Sequence, residues 1–478
     1  MIISIFNLCL TALLGISVGL VLLGKVYGLP FIFIFIYFIS VLLYTRFQNV
    51  FLYAVLSYLF FGNTILGALH LSIPFQSYLD EALTYGLLSL FLLHKSFEKK
   101  PMPTPGYKKY AFGLCLIIFV SACLNAISPV TFVNYTATLL KPFAILYMIA
   151  ESEWNEHQLK RLIYFLIAIG LVEGCLIIGQ VYSGLSLGLG EGDLLDIGTG
   201  SLGEGLQHHL GYLLLAIFFL TGFIFLYTKS FLFLILSIFS AVCLHLTHTY
   251  HVLVIIPLIL FFLICFIRQK IPFLVIVFLL LIFPIAFFCA PQILGEKQLE
   301  KLNLDELKAS GKFQSYQNLF LKLPKELHGG AIIGAGPGTY ASKIASKNKA
   351  PLYEKYVYSI VANMSPGSRG STFNFPWTSA IALWGELGPL GFILYFLSLM
   401  KLIGEVRSVI FSPQYSSFWR GAAMGSLCNL LFIAIMAFIV TAFEDMYMTY
   451  PIYMLGAIIL ALRRQEMSNG NRNGGISG

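Results

Sequence analysis

Few side chains in this sequence can do chemistry, and they cluster in a handful of places. Arg369 lies among Gly367, Ser368, Gly370 and Ser371, small neighbours that leave room for a large anion. A guanidinium grips a phosphate or carboxylate through paired N–H groups, which an ammonium cannot do; the plainer reading is a solvated loop charge. Four histidines, His208, His209, His248 and His251, fall at the ends of apolar stretches. Imidazole titrates near neutrality and acts as a base or as a donor to phosphate, although a boundary histidine is often only interfacial. Lys141 stands inside the apolar run Leu139-Leu140-Lys141-Pro142-Phe143, where an ammonium is costly unless it faces a cavity or snorkels to the interface. Two carboxylates, Glu173 and Glu386, are also embedded in apolar sequence. Glu386 reads as a helix-start packing residue, and Glu173 is left open.

His248 and His251 are three apart and, with His208, have the residue types of a metal site. No D-x-D element accompanies them, and no metal or other cofactor is expected. The eight cysteines form no C-x-x-C pair, so they read as small apolar residues. The run Gly329-Gly330-Ala331-Ile332-Ile333-Gly334-Ala335-Gly336-Pro337-Gly338-Thr339-Tyr340 is rich in glycine, which suits close backbone approach and φ > 0 turns. It is not a nucleotide P-loop, because no G-K-[ST] follows. By itself it reads as a structural turn.

The elements that must position these residues are membrane helices. The chain has 478 residues, 58% hydrophobic and 11% charged, with a mean hydropathy of +0.83. Soluble domains average about 45–50% apolar and about 25% charged residues. With 43 Phe and 26 Tyr the chain is neither disordered nor coiled-coil. A span needs about 20 apolar residues. Fourteen are expected: 2–23, 29–44, 50–68, 78–93, 110–128, 132–150, 162–182, 209–227, 230–246, 251–267, 271–290, 380–402, 418–441 and 447–462. The first has no basic leader or A-x-A site and reads as a retained helix.

The net charge of +8 is not a nucleic-acid signal, because basic residues of membrane proteins gather in cytoplasmic loops. The even-numbered gaps hold nearly all of them, among them Lys95, Lys99, Lys100, Lys108 and Lys109 in a single gap. The odd-numbered side has only Lys25 and Lys141 outside the long 291–377 segment. Both termini are therefore expected in the cytoplasm. The organisation reads as membrane helices 1–11 in 1–290, a large outer loop of short helices in 291–377, helices 12–14 in 378–465, and a disordered cytoplasmic tail in 466–478. Within the outer loop, 296–307 and 313–323 carry apolar residues at helical spacing and suit a surface helix or a packed lid. Arg369 is the only arginine on the outer side in this topology.

The order of elements resembles the O-antigen polymerase and O-antigen ligase superfamily of bacterial envelope glycosyltransferases. Ile333-Gly334-Ala335-Gly336-Pro337-Gly338-Thr339-Tyr340 is similar to one family element, and Leu383-Trp384-Gly385-Glu386-Leu387-Gly388-Pro389-Leu390-Gly391-Phe392 to another. Upstream, Gly200-Ser201-Leu202-Gly203 leads into Gln207-His208-His209-Leu210-Gly211, as the family's glycine-rich loop leads into a helix. The resemblance covers about residues 160–462. It departs from the ligases, which carry His-Asn where this chain has Trp377-Thr378, and Thr247-His248-Thr249-Tyr250-His251 has no arginine where a T-x-S-R element is common.

The resemblance implies an all-α, GT-C-like polytopic bundle in the bacterial inner (plasma) membrane. It also implies transfer of a glycan from an undecaprenyl-pyrophosphate carrier at the outer face. The leading expectation is a polymerase that joins lipid-linked repeat units into a surface polysaccharide. The alternatives are a ligase moving glycan onto lipid A-core or protein, and a flippase for lipid-linked oligosaccharide. Expected partners are the bilayer, the lipid-linked oligosaccharide, a chain-length regulator and a flippase, with no nucleic acid. Arg369, His248, His251 and Lys141 are the candidate catalytic residues. His208, His209, Gly334, Gly336, Gly338 and Tyr340 are the candidate substrate-binding residues.

Overall fold

A computed structural model describes residues 50, 52–61, 79–98, 106–183, 207–247, 249, 311–327, 330–362 and 376–474, with a few positions between 255 and 263. Arg369, His248 and His251 lie outside the described residues, as do the expected helix at 296–307 and the spans 2–23, 29–44 and 271–290. The chain divides into two compact units, Met1–Met102 and Pro103–Gly478. The first contains α1 (Leu52–Phe61) and α2 (Leu79–Glu98).

The second unit contains α3 (Gly106–Leu124), α4 (Pro129–Glu151), α5 (Glu156–Ser183), α6 (Gln207–Thr228) and α7 (Phe231–Leu246). Short helices follow, including α8 (Gly311–Gln317) and α9 (Lys343–Lys347). The unit closes with α10 (Ser379–Phe411), α11 (Ser417–Met436) and α12 (Met446–Gly474). No strand occurs among the described residues. Six helices there are long and apolar enough to cross a membrane: Gly106–Leu124, Pro129–Glu151, Glu156–Tyr182, His208–Thr228, Ser379–Phe411 and Ser417–Met436. This is a multi-pass, all-helical membrane architecture.

Local chemistry sets the helix starts. Ser128 caps α4 by accepting from the Thr131 N–H, and Pro129 occupies the first helical turn, where its missing N–H costs nothing. Thr378 caps α10 through the Ile381 N–H at 3.1 Å. Between helices, small residues replace the hydrophobic drive that lipid cannot supply. Gly421 and Gly425 of α11 face the α6 backbone so closely that a Cβ at either would lie 2.7 Å from Ile224 Cα or Leu220 Cα. One turn further along the same face, the Asn429 side chain donates to the Ala216 carbonyl at 3.1 Å.

Ion pairs gather one set of helix ends. Glu151, 2% exposed, accepts Lys108 Nζ and Arg464 Nη1, each at 2.7 Å. Glu405 accepts the Gly106 N–H at 3.1 Å and pairs with Arg463. Glu156 takes the Trp419 indole N–H and Lys160. Arg420 lies over the Tyr227 ring. At the other end, Ser379 N–H donates to Val440 and Phe443 N–H to Ser379 Oγ. Successive helices thus run in alternate directions between a basic end and an opposite end that carries the glycine-rich segment.

Two expectations change. Residues 466–474, expected to be disordered, continue α12 as helix to Gly474. The turn before them is anchored by Arg463, by Arg464 and by Gln465 donating to the Trp154 carbonyl, so the helix continues from a fixed point. The apolar face expected over 313–323 is broken by a π-helical turn at Asn318–Lys322. Leu319 and Leu323 point into a core, whereas Phe313 and Phe320 are exposed. That core joins the glycine-rich segment and its short helices to the first turns of α10: Tyr340, Ala341, Ala345, Tyr353 and Val357 pack with Ile381 and Ala382. The described residues between Gly311 and Ala362 thus pack onto the start of α10.

Candidate functional site

The site is built around an interruption in α10. Gly388 adopts φ 69° and ψ −179°, and Pro389 follows it. Proline has no N–H to return to the carbonyl four residues earlier, which leaves the Gly385 carbonyl without its helical partner. The glycine-rich segment supplies it. Ala335 N–H donates to the Gly385 carbonyl at 2.8 Å, and Gly336 N–H to the Glu386 carbonyl at 3.0 Å. The C-terminal turn of α3 holds the other side, with Ser121 Oγ donating to the Ile333 carbonyl at 2.8 Å and Asn125 Nδ2 to the Gly334 carbonyl at 3.3 Å.

The Glu386 side chain completes the clamp. It is fully buried, and its carboxylate collects four backbone N–H groups. Oε2 accepts from Gly338 at 2.8 Å, and Oε1 from Tyr340, Ala341 and Ser342 at 2.9 Å each. Convergent N–H groups of this kind form an anion nest, filled here by the protein's own carboxylate. A buried charge is tolerable only when satisfied in this way. Glu386 is therefore the anchor of the glycine-rich segment rather than a helix-start packing residue. Tyr135 of α4 lies beside it.

This arrangement defines what the glycines do. Gly334, Gly336, Gly338 and Gly388 all have positive φ. Gly334 and Gly388 meet back to back: a Cβ on Gly388 would lie 2.1 Å from the Ile332 carbonyl oxygen, and one on Gly334 would lie 2.5 Å from the Gly388 nitrogen. The N–H groups of Gly336, Gly338 and Tyr340 are committed to Glu386, and the Tyr340 ring is fully buried. These residues give the site its shape.

On the rim of the clamp lies a polar cluster drawn from three parts of the chain. Lys343 N–H donates to Glu444 Oε2 at 2.7 Å, and Lys343 Nζ to the Glu444 carbonyl at 3.3 Å. The next residue, Asp445, pairs through Oδ2 with Nδ1 of His209, the third residue of α6. Its Oδ1 accepts from the N–H groups of Tyr447 and Met448, capping α12. Burial works to raise the Asp445 carboxyl, but the His209 imidazole, Lys343 and the Met448 N–H outweigh it and hold Asp445 below its usual value.

Glu444 moves the other way. Burial and the nearby Glu386 charge outweigh Lys343 and push it up from 4.5 to about 7. Neighbouring carboxyls with opposed shifts divide the roles of proton holder and fixed anion. The neutral form of Glu444 suits the fold, so its contribution to stability is full below the ordinary carboxylate value and is lost as pH rises through about 7. The melting temperature of the protein in detergent should accordingly fall across that window. Glu444→Gln should remove this part of the pH dependence, and an unchanged slope would contradict the assignment.

Of the residues singled out from sequence, the structure brings together Gly334, Gly336, Gly338, Tyr340 and His209. His208 precedes His209 and is half-buried. Lys141 is 5% exposed inside the bundle, and Glu173 is buried on α5. Asp445, Glu444 and Tyr135 were not singled out. The available signal was two adjacent carboxylates in the short gap between the last two expected spans. Compared with known proteins, the chain matches no family model and no curated protein.

Proposed function

We propose that the protein is an integral-membrane glycosyltransferase of the polymerase type, extending a lipid-pyrophosphate-linked glycan at the outer face of a bacterial inner membrane. One observation carries the reading. The two sequence elements that resemble the O-antigen polymerase and ligase superfamily, around Gly334–Tyr340 and Leu383–Phe392, interlock through Glu386 at the end of the bundle opposite the basic end. A motif pair that meets in space is a built unit, and the charge asymmetry favours an outer position for that unit.

In the proposed reaction, an acceptor sugar hydroxyl attacks the anomeric carbon of the lipid-linked glycan. The C–O bond to the carrier breaks, and the pyrophosphate leaves with the electron pair. Arg369 is assigned to the pyrophosphate, since a guanidinium stabilises the charge that grows as it departs. Deletion in the native host, read on a gel of surface glycans, tests the function. Loss of long chains with single repeats retained is the expected result. Loss of every glycan from the core, with lipid-linked polymer accumulating, would instead mean a ligase. Unchanged glycans would refute both.

A further inference from the structure

We propose that His209, oriented by Asp445, is the general base that takes the proton of the acceptor hydroxyl; this rests on the glycosyl-transfer reading above. His209 and Asp445 are 236 positions apart and are brought together where α6 begins and α12 is capped. Both carboxylate oxygens of Asp445 have a partner. Oδ1 is held by the two N–H groups of α12, and Oδ2 faces His209. The Asp445 side chain is 5% exposed and that of His209 is 27% exposed, so the carboxylate is fixed while the imidazole reaches the surface of the site.

The rings of Tyr212 and Tyr447, each centred 6.2 Å away and steeply inclined, brace the imidazole on two sides. An ionised carboxylate only accepts, so Nδ1 carries a proton, and in the neutral imidazole Nε2 is then the nitrogen with the free lone pair. No described residue bonds Nε2. A carboxylate that fixes the tautomer and steadies the imidazolium is the support a histidine base needs.

The dyad adjoins the clamp through a short path. Asp445 follows Glu444, which binds Lys343, and Lys343 follows Ser342, one of the residues held by Glu386. In the step, the acceptor O–H bond breaks and its proton passes to Nε2. The oxygen forms the new bond to the anomeric carbon as the lipid pyrophosphate departs with its electron pair. The imidazolium, paired with Asp445, then returns the proton to water.

Two variants separate chemistry from folding. His209→Gln keeps the size and polarity of the side chain but removes the base. Asp445→Asn keeps an oxygen to cap α12 but turns an NH2 group toward Nδ1, which moves the imidazole proton to Nε2. Chain extension by full-length protein in nanodiscs, with a purified lipid-linked repeat unit, should lose about 10²–10⁴ in kcat in both, with little change in KM. Nitrogen NMR of histidine-labelled wild type should show the neutral His209 protonated on Nδ1, and Asp445→Asn should reverse it.

Wild-type kcat in His209→Gln beside an active wild type would overturn the base and leave the glycosyltransferase standing. A wild-type protein that consumes no donor would overturn the glycosyl-transfer reading and the role of His209 with it. A wild-type proton on Nε2 would overturn the dyad whatever the activity.

Discussion

Glu386→Ala should leave the protein inserted but free the glycine-rich segment from the helix end and, on the proposed function, abolish glycan extension. The carboxylate satisfies four backbone N–H groups in a site without solvent. Each buried donor left unpaired costs about 1–3 kcal/mol. A stability of about 5–15 kcal/mol for a whole domain shows how large that is for one segment. The membrane helices are held by other contacts, among them the Gly421 and Gly425 seam against α6 and the Glu151 ion pairs.

Damage should therefore be confined to the segment. Limited proteolysis should cut Glu386→Ala within 338–347, near Lys343 and Lys347, and leave wild type intact there. Glu386→Gln should be intermediate. Its one oxygen can still face the three donors at Tyr340–Ser342, but its NH2 group meets the Gly338 N–H, donor against donor. Glu386→Ala with wild-type protease resistance and chain length would remove the clamp from the account.

The reach of the sequence can be judged from the same residues. Apolar runs place the helices well: the spans expected over 132–150, 209–227 and 230–246 are α4, α6 and α7, at Pro129–Glu151, Gln207–Thr228 and Phe231–Leu246. Burial in lipid is a property of a segment, and a segment's composition records it. Clamping is a relation between segments, and composition does not record that. Glu386 and its four donors are 44 to 48 positions apart, so local reading gave Glu386 only a helical neighbourhood.

Asp445 was hidden for a related reason. In the short gap between two expected spans, Glu444 and Asp445 pass for ordinary interfacial charges until Lys343 and His209 are placed beside them. The π-helical turn at 318–322 left no mark either, because helical spacing is drawn for α geometry. The glycines were legible as a demand for unusual backbone. What satisfied that demand was the carbonyl left free by Pro389, a local signal that could have been read.

Gly388→Ala should be as severe as Glu386→Ala, and through backbone alone. With φ 69° and ψ −179°, Gly388 occupies a region that is essentially reserved for glycine. Its space is also closed. A Cβ there would lie 2.1 Å from the Ile332 oxygen, 2.4 Å from the Ile332 carbonyl carbon and 2.7 Å from the Gly334 nitrogen, all backbone atoms that cannot swing aside. Straightening the helix would not relieve the clash, because Pro389 has no N–H for the Gly385 carbonyl and its ring opposes that carbonyl's approach. The loop must therefore leave, and Ala335 and Gly336 lose their bonds to residues 385 and 386 with it.

The same helix supplies the control. Gly404 has open space where its Cβ would go, so Gly404→Ala should be neutral or should stabilise by about 0.5–1 kcal/mol, the usual gain for alanine in a helix interior. Thermal melts in detergent should move in opposite directions for the two substitutions, and only Gly388→Ala should expose the glycine-rich segment to protease and, on the proposed function, shorten the glycan. Equal melts and wild-type chains for Gly388→Ala would mean that α10 tolerates another path through residue 388, and the interlocked unit would no longer support the proposed function.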